Sequence, residues 1–222
     1  MPEEVLPALE VRRLGRISYE EGLELQSELI ALRRDGSIPD QLLLLEHPHV
    51  ITLGTSSQDD HVLLSETERE EKGIQLFEVG RGGDATYHGP GQLVGYPILS
   101  LAPDRKDLHR YLRDLEEVLL LTLRAFEIPA RREEGLTGVW APAGKLAAIG
   151  VRVSSGWITS HGFALNVDPD LTFFSSIVPC GIEDRPVASM ASVLGRSIST
   201  KEVVPTLLES FEKVFSRQGI VV

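Results

Sequence analysis

Twelve residues, Arg81-Gly82-Gly83-Asp84-Ala85-Thr86-Tyr87-His88-Gly89-Pro90-Gly91-Gln92, constrain this chain more than any other stretch. A predicted strand precedes them (Gln75–Val79) and another follows (Gln92–Leu99). A hairpin needs only two to five linking residues, so this connection is longer than joining strands requires. Its four glycines allow positive φ and close approach of a ligand, at an entropic cost. A loop of this kind carrying Arg, Thr, Tyr and His is where sites are commonly found. It lies between strands and opens no helix, and no Walker-type phosphate loop occurs elsewhere. The pattern is therefore neither a dinucleotide fingerprint nor a phosphate cradle.

The flanking elements set a fold class. Ala8–Leu14 alternates as a strand. Ser18 and Glu21 form a capping box for a helix to about Arg34, with Gly22, Leu25, Leu29 and Leu32 on one stripe. Gln41–Glu46 is apolar enough for a strand buried on both faces. Asp107 opens a helix to about Phe126, with Leu108, Leu112, Leu115, Leu119, Leu123 and Phe126 facing a core. Ile128–Glu133, Gly138–Pro142 and Lys145–Val153 read as strands, and Trp157–Val167 as a strand pair or bent strand. Residues 56–72 read as a solvated loop with a short helix, and Leu171–Ile182 as irregular. Ser199 and Glu202 cap a last helix to about Arg217, whose start Pro205 is expected to delay. Short strands in runs with two or three helices imply an α+β protein with an antiparallel or mixed sheet. At 222 residues, without internal repeats, one domain over 1–222 is expected.

Composition narrows the function. A net charge of −11 argues against non-specific nucleic-acid binding. No run approaches the ~18 apolar residues of a membrane span, and the acidic N-terminus does not read as a signal peptide. One cysteine excludes an internal disulfide, and together these features favour a reducing cytoplasm.

Three further segments share the character of the first: Gly144–Gly150, Ser160–Val167 and Val178–Ile182. Cys180, between Pro179 and Gly181, is either a small buried hydrophobe or a nucleophile whose pKa a neighbouring cation or base lowers. Lys145, His88 and His161 are the candidates for that neighbour. Lys145 is equally an exposed strand end, and either histidine could simply hold loops together. His47 and His49 flank Pro48, but no carboxylate or cysteine lies at a familiar metal spacing, so no metal site is expected.

Taken together and in order, these segments resemble the lipoyl(octanoyl) transferase family. The family's Arg-Gly-Gly-x-x-Thr-x-His-x-Pro-Gly-Gln loop is matched by Arg81–Gln92, its Gly-x-Lys strand by Gly144–Gly150, His-Gly-x-Ala-Leu-Asn by His161–Asn166, and Pro-Cys-Gly by Pro179–Gly181. The resemblance spans about residues 8 to 215. It implies a biotin/lipoate protein ligase-like mixed sheet flanked by helices, with no cofactor. It implies octanoyl transfer from acyl carrier protein to a lysine of a lipoyl domain, in 2-oxoacid dehydrogenase complexes or the glycine cleavage H protein. Cys180 would be the nucleophile and Lys145 its activator. Arg81, Gly82, Gly83, Asp84, Ala85, Thr86, Tyr87 and His88, with Ala148, Ile149, Gly150, Gly162, Phe163 and Ala164, would line the acyl site, and His161 would support it. Thioester exchange is nearly isoenergetic, so no ATP loop is needed. An eight-carbon chain gains ~0.8 kcal/mol per buried methylene. Rival readings are an ATP-dependent lipoate or biotin ligase, a non-catalytic acyl-binding relative, and a Cys–His hydrolase. Acidic carriers would need a local basic patch. Lys106, Arg110 and Arg113, extended by Arg131 and Arg132, are the candidates.

Overall fold

A computed structural model describes residues 6–103, 105–178 and 186–222. Its frame is an eight-stranded mixed sheet. The strands are β1 (Ala8–Arg16), β2 (Asp40–Glu46), β6 (Gln92–Ile98), β7 (Arg131–Glu133), β8 (Leu136–Ala141), β9 (Gly144–Ser154), β10 (Ile158–Asn166) and β11 (Gln218–Val221). They lie in the order β11-β1-β2-β6-β10-β9-β8-β7. The β1 pairings with β2 and β11 are parallel, and the rest are antiparallel. A second sheet of three short strands, β4-β3-β5, comprises β3 (Val50–Leu53), β4 (Gln75–Glu78) and β5 (Thr86–His88). This is the α+β arrangement expected, with a large mixed sheet flanked by helices.

The helices are α1 (Tyr19–Arg34), α2 (Glu66–Glu71), α3 (Leu108–Ala125), α4 (Met190–Leu194) and α5 (Thr200–Phe215). The expected caps hold: Ser18 and Glu21 bond reciprocally, as do Ser199 and Glu202, and Asp107 accepts from the Arg110 amide. α3 and α5 cover one face of the large sheet, over Leu42, Leu44, Leu93, Phe163 and Leu165. α1 covers the other, over Leu43, Leu45, Val94, Tyr96 and Ala164. Alternate residues of β2 thus serve two cores, as its apolar run requires. Among the described residues no helix is long and apolar enough to cross a membrane.

The structure departs from expectation in four places. The glycine-rich connection is not all loop. Thr86–His88 pairs antiparallel with Val50–Thr52 and completes the small sheet. Pro205 does not delay α5, which starts at Thr200. The proline's missing N–H would have served the carbonyl of Lys201, an exposed residue in the first turn that water can satisfy. Leu108 is exposed, and Tyr111, Val118 and Thr122 join the buried face of α3. In α1 the buried positions are Tyr19, Gly22, Gln26 and Leu29, while Leu25 and Leu32 are half-buried.

The predicted basic surface is largely neutralised. Glu116 on α3, 1% exposed, takes both Arg113 (2.6 Å) and Arg132 (2.9 Å). Arg132 also reaches Glu117 (2.7 Å), and Arg131 pairs with Glu133 (2.6 Å). Glu116 accepts from the Gly138 amide too, so this cluster fastens α3 to the β7–β8 hairpin.

Candidate active site

On the α1 face, a cavity of about 310 Å³ opens between the large sheet, the glycine-rich segment and the β7–β8 turn. That is the lower end of the ~300–1,000 Å³ typical of small-molecule sites. Its wall includes Arg81, Gly83, Asp84, Ala85, Thr86 and His88 from the first motif and Lys145, Ala148, Ile149 and Gly150 from the second. His161, Gly162, Phe163 and Ala164 come from the third. Segments far apart in sequence therefore converge on one space.

Glycine makes the convergence possible. Gly150 and Gly162 are cross-strand partners on β9 and β10. A Cβ on Gly150 would come within 2.9 Å of the Gly82 carbonyl oxygen and 3.0 Å of Arg81 Cδ, and one on Gly162 would fall on the Gly95 carbonyl. The Gly82 amide donates to the Val151 carbonyl (2.9 Å), so the loop lies directly on the strand. Arg81 is 6% exposed and donates to the Thr52 carbonyl (2.8 Å) and hydroxyl (2.8 Å), which ties loop to small sheet. Two residues of the predicted set are not on the wall. Gly82 is spent on the Val151 contact. Tyr87 points the other way, into the small-sheet cluster, where its hydroxyl meets His49 Nδ1 at 2.6 Å and Phe173 stacks on its ring. A three-residue strand puts alternate side chains on opposite faces, which separates Tyr87 from Thr86 and His88.

Hydrogen bonds fix the tautomer of His88. Asn166 Nδ2 donates to the Ala188 carbonyl (3.1 Å), leaving Oδ1 to accept from Gln92 Nε2 (2.9 Å). Gln92 Nε2 also serves the Tyr87 carbonyl (3.1 Å), so Gln92 Oε1 accepts from His88 Nδ1–H (2.7 Å). Nε2 of His88 is then the unprotonated nitrogen. His47 is set likewise: Nδ1–H donates to the Ile17 carbonyl (3.0 Å) and Nε2 accepts from the Tyr96 hydroxyl (2.8 Å). Burial lowers His88 to about 3, with His47 nearby adding to it. Burial also lowers His47 and His161 to about 4, the Arg81 charge contributing at His161. His161 sits at φ 55 within a strand, a strained conformation for a non-glycine residue, and its amide donates to Gln26 Oε1 (2.7 Å). Tyr19 is raised to about 12 by burial, against the pull of Arg81. The rings at this end are neutral near pH 7, and the charges of the described wall are Arg81, Asp84 and Lys145.

Lys145 is 8% exposed, with Nζ 5.1 Å from the centroid of the Trp140 ring. Its amide donates to the Pro186 carbonyl (2.9 Å) and its carbonyl accepts from the Ala188 amide (3.0 Å). Gly144 permits this, because a Cβ there would fall on the Pro186 carbonyl. Cys180, with Pro179 and Gly181, lies outside the described residues. The described chain stops at Val178, whose amide donates to the His61 carbonyl (2.9 Å), and resumes at Pro186 beside Lys145. His61 in turn pairs with Asp84 of the cavity wall (2.7 Å). Among the described residues no cluster of His, Cys, Asp and Glu could hold a metal.

Sequence reasoning missed Tyr19, Ser56, Tyr96, Gly135, Leu136, Thr137 and Trp140, which also line the cavity. Tyr19 was legible as the first residue after a cap, on the buried side of its helix. Gly135–Thr137 depends on how α3 holds a hairpin, for which sequence has no local signal.

Comparison with known proteins agrees with this geometry. Residues 18–212 match the family model of the lipoyl protein ligase A/B catalytic domain. An octanoyltransferase of Rubrobacter xylanophilus is 50% identical over 219 residues, 98% of each chain. One of Solibacter usitatus is 50% identical over 205 residues, 92% of each chain. In structure, a chain from the lipoylation system of Thermoplasma acidophilum, a bi-partite lipoate protein ligase and its E2 lipoyl domain, superposes with a TM-score of 0.74 at 19% identity, covering 99% of this chain and 88% of that one. The biotin protein ligase of Aquifex aeolicus with biotin and ATP gives 0.56 at 16%, covering 94% of this chain and 70% of that one. Motifs, fold and identity over nearly the whole length agree: the chain belongs to the octanoyltransferase family, built on the lipoyl protein ligase A/B catalytic domain.

Proposed function

We propose that the chain carries an octanoyl group from acyl carrier protein to the ε-amine of a lipoyl-domain lysine through a thioester on Cys180. The observation that carries this reading is the placement of Lys145, buried in the wall of the cavity and bonded through its amide to Pro186, six residues after the only cysteine. The Cys180 thiolate attacks the donor carbonyl, forms the new C–S bond and expels the carrier thiolate, which takes up a proton. The lysine amine then attacks the acyl-Cys180 carbonyl, expels the Cys180 thiolate and loses its proton. The Lys145 ammonium favours the thiolate in both steps. Ala148, Ala164, Leu136 and Trp140 offer the acyl chain apolar surface. His88 Nε2 offers an acceptor on the same wall. A nucleophilic thiol needs a reducing compartment, and the cytoplasm provides one.

Intact mass after incubation with octanoyl-acyl carrier protein tests the intermediate. One octanoyl mass is gained, neutral hydroxylamine removes it, and added lipoyl domain discharges it. Cys180→Ser takes no label and transfers at least ~10³-fold more slowly, the scale of losing a covalent nucleophile. Wild-type rates in that variant overturn the mechanism. Release of free octanoate in the presence of acceptor identifies a hydrolase, and a requirement for ATP identifies a ligase.

A further inference from the structure

A second cavity, of about 580 Å³, lies where β1 and β2 end against the first turn of α5. Its floor is apolar, with Leu44, Leu93 and Val204. Its rim is basic, with Arg13, Arg16 and Lys201, all exposed. The β1–β2 register shifts between Arg13 and Gly15, and an irregularity of that kind re-aims the side chains around it. Among the described residues no salt bridge engages Arg13 or Lys201. The one acid of the lining, Glu46, is already used. It accepts from the Thr200 hydroxyl (2.7 Å) and the Gly91 amide (2.9 Å), with Arg16 at 3.5 Å. In a chain of net charge −11, a groove with free cations around an apolar floor is a local reversal of sign. On the α3 side most of the predicted cations are already engaged, Arg113 and Arg132 by Glu116 and Glu117 and Arg131 by Glu133.

The groove lies near the candidate active site, and the two share no lining residue. Arg16 is three residues from Tyr19 of the cavity wall, a span of at most about 11 Å. Glu46 precedes His47, which bonds Tyr96 of the same wall. Leu44, Leu93 and Val204 belong to the core under α3 and α5, and Tyr96 and Ala164 to the core under α1, while Leu45 of the groove and Phe163 of the cavity are strand residues whose side chains turn to the other core. The two spaces open mainly on opposite faces of the sheet, the groove at the ends of β1 and β2 and the cavity over the middle of β9 and β10.

We propose that this groove seats the body of the acidic carrier that donates the acyl group, an inference that rests on the function proposed above. The offset selects the donor over the acceptor. An acyl group on the end of a long prosthetic arm can round the strand ends while its carrier sits on the far face. A lysine side chain is too short, so its domain has to sit at the cavity mouth. Acidic side chains of the carrier would meet Arg13, Arg16 and Lys201, and an apolar side chain among them would cover Leu44 and Val204. Such a rim governs encounter more than residence, so its signature is an association rate that falls with salt.

The test is the double reversal Arg13→Glu/Lys201→Glu, at two exposed positions, with Lys106→Glu/Arg110→Glu at the start of α3, also exposed, as the control. The first variant should raise KM for octanoyl-acyl carrier protein about tenfold at low salt and lose most of the salt dependence. It should leave KM for a small octanoyl thioester, and for the lipoyl domain, within about twofold of the parent. The control should behave as the parent. Unchanged KM for the carrier, a rise for the lipoyl domain instead, or the effect appearing in the α3 control would each overturn the proposal. Direct binding of the carrier, measured without turnover, separates the two readings. Binding that depends on Arg13 and Lys201 in a protein that transfers nothing keeps the groove and removes the proposed reaction.

Discussion

The two faces of the large sheet are built from alternate residues of the same strands and are filled in opposite ways. Under α3 and α5 the strands present Leu42, Leu44, Leu93 and Leu165, and Leu119, Leu207 and Phe211 close over them without exposure. Under α1 the large residues stop short. Gly150 and Gly162 take the centre, and the space above them is the candidate active site. The wall of that space is held by hydrogen bonds and neutral rings, and by less aliphatic packing. One face stores stability and the other gives some of it up for a shaped, partly polar void.

Substitution separates the two roles most sharply. Leu207→Ala, on the filled face, should cost about 2–5 kcal/mol of stability, the range for deleting a fully buried leucine. While folded, that variant should keep the parental kcat/KM. Gly150→Ala, on the open face, should cost about 1–3 kcal/mol, because its Cβ presses on the Gly82 carbonyl and on Arg81. Here KM for a small octanoyl thioester should rise, since the displaced loop carries the wall. Denaturant melts beside steady-state kinetics check both. A Leu207→Ala enzyme that loses activity before stability would erase the distinction.

Acid titration reads chiefly the open face, with His49 of the small-sheet cluster, also lowered by burial, adding to it. His47, His88 and His161 are held neutral, lowered to about 4, 3 and 4, chiefly by burial. Between pH 6.5 and those values the unfolded chain binds protons that the native state refuses. Stability therefore rises with pH up to about 6.5, and it falls below that by up to ~1.4 kcal/mol per pH unit for each histidine. Imidazole resonances followed by NMR should show three rings that do not titrate between pH 8 and 5, while denaturant midpoints decline over the acid half of that range. Three rings titrating near 6.5 would mean the cavity is wet enough to solvate them.

Much of this was legible in sequence where the cause is local. Ser18, Asp107 and Ser199 announce helix starts because a cap needs only three residues to declare itself. The apolar run Gln41–Glu46 reads as a doubly covered strand and is one, and three of the four glycine-bearing motifs meet at the cavity wall, the Pro179–Gly181 motif lying outside the described residues. Causes that act across the chain were not visible. Thr86–His88 looks like loop because its partner, Val50–Thr52, is over thirty residues away. Gln218–Val221 has no periodicity to mark it and is a strand only because β1 offers an open edge. The arginines of α3 looked like a basic patch because helical spacing shows which face they share, and nothing about Glu116 reaching both Arg113 and Arg132.

The smallest effect concerns the segment that reads in sequence as solvent-facing loop. His61, in the 3-10 turn Asp59–His61, places Nδ1 2.7 Å from Asp84 Oδ1, and that carboxylate also accepts from the Ala85 amide (2.6 Å). Asp60 lies 3.9 Å from the other ring nitrogen. The hydrogen bond to Asp84 chiefly, with both negative charges adding to it, raises the pKa of His61 above its ordinary value. For a raised histidine the linkage runs opposite to that of the buried three. The contact contributes fully below about pH 6.5 and fades as pH climbs through the raised pKa. Because Asp84 lines the cavity, the wall should loosen over that alkaline window. KM for a small thioester should rise by about twofold, as suits a pair this close to solvent. His61→Asn removes the titration and should hold KM at the parent's alkaline level across the range. NMR should place the parent's His61 midpoint above 6.5. An alkaline rise that survives unchanged in His61→Asn would assign it to other groups, and the contact would then be a fastening of the fold with no part in how the cavity takes its ligand.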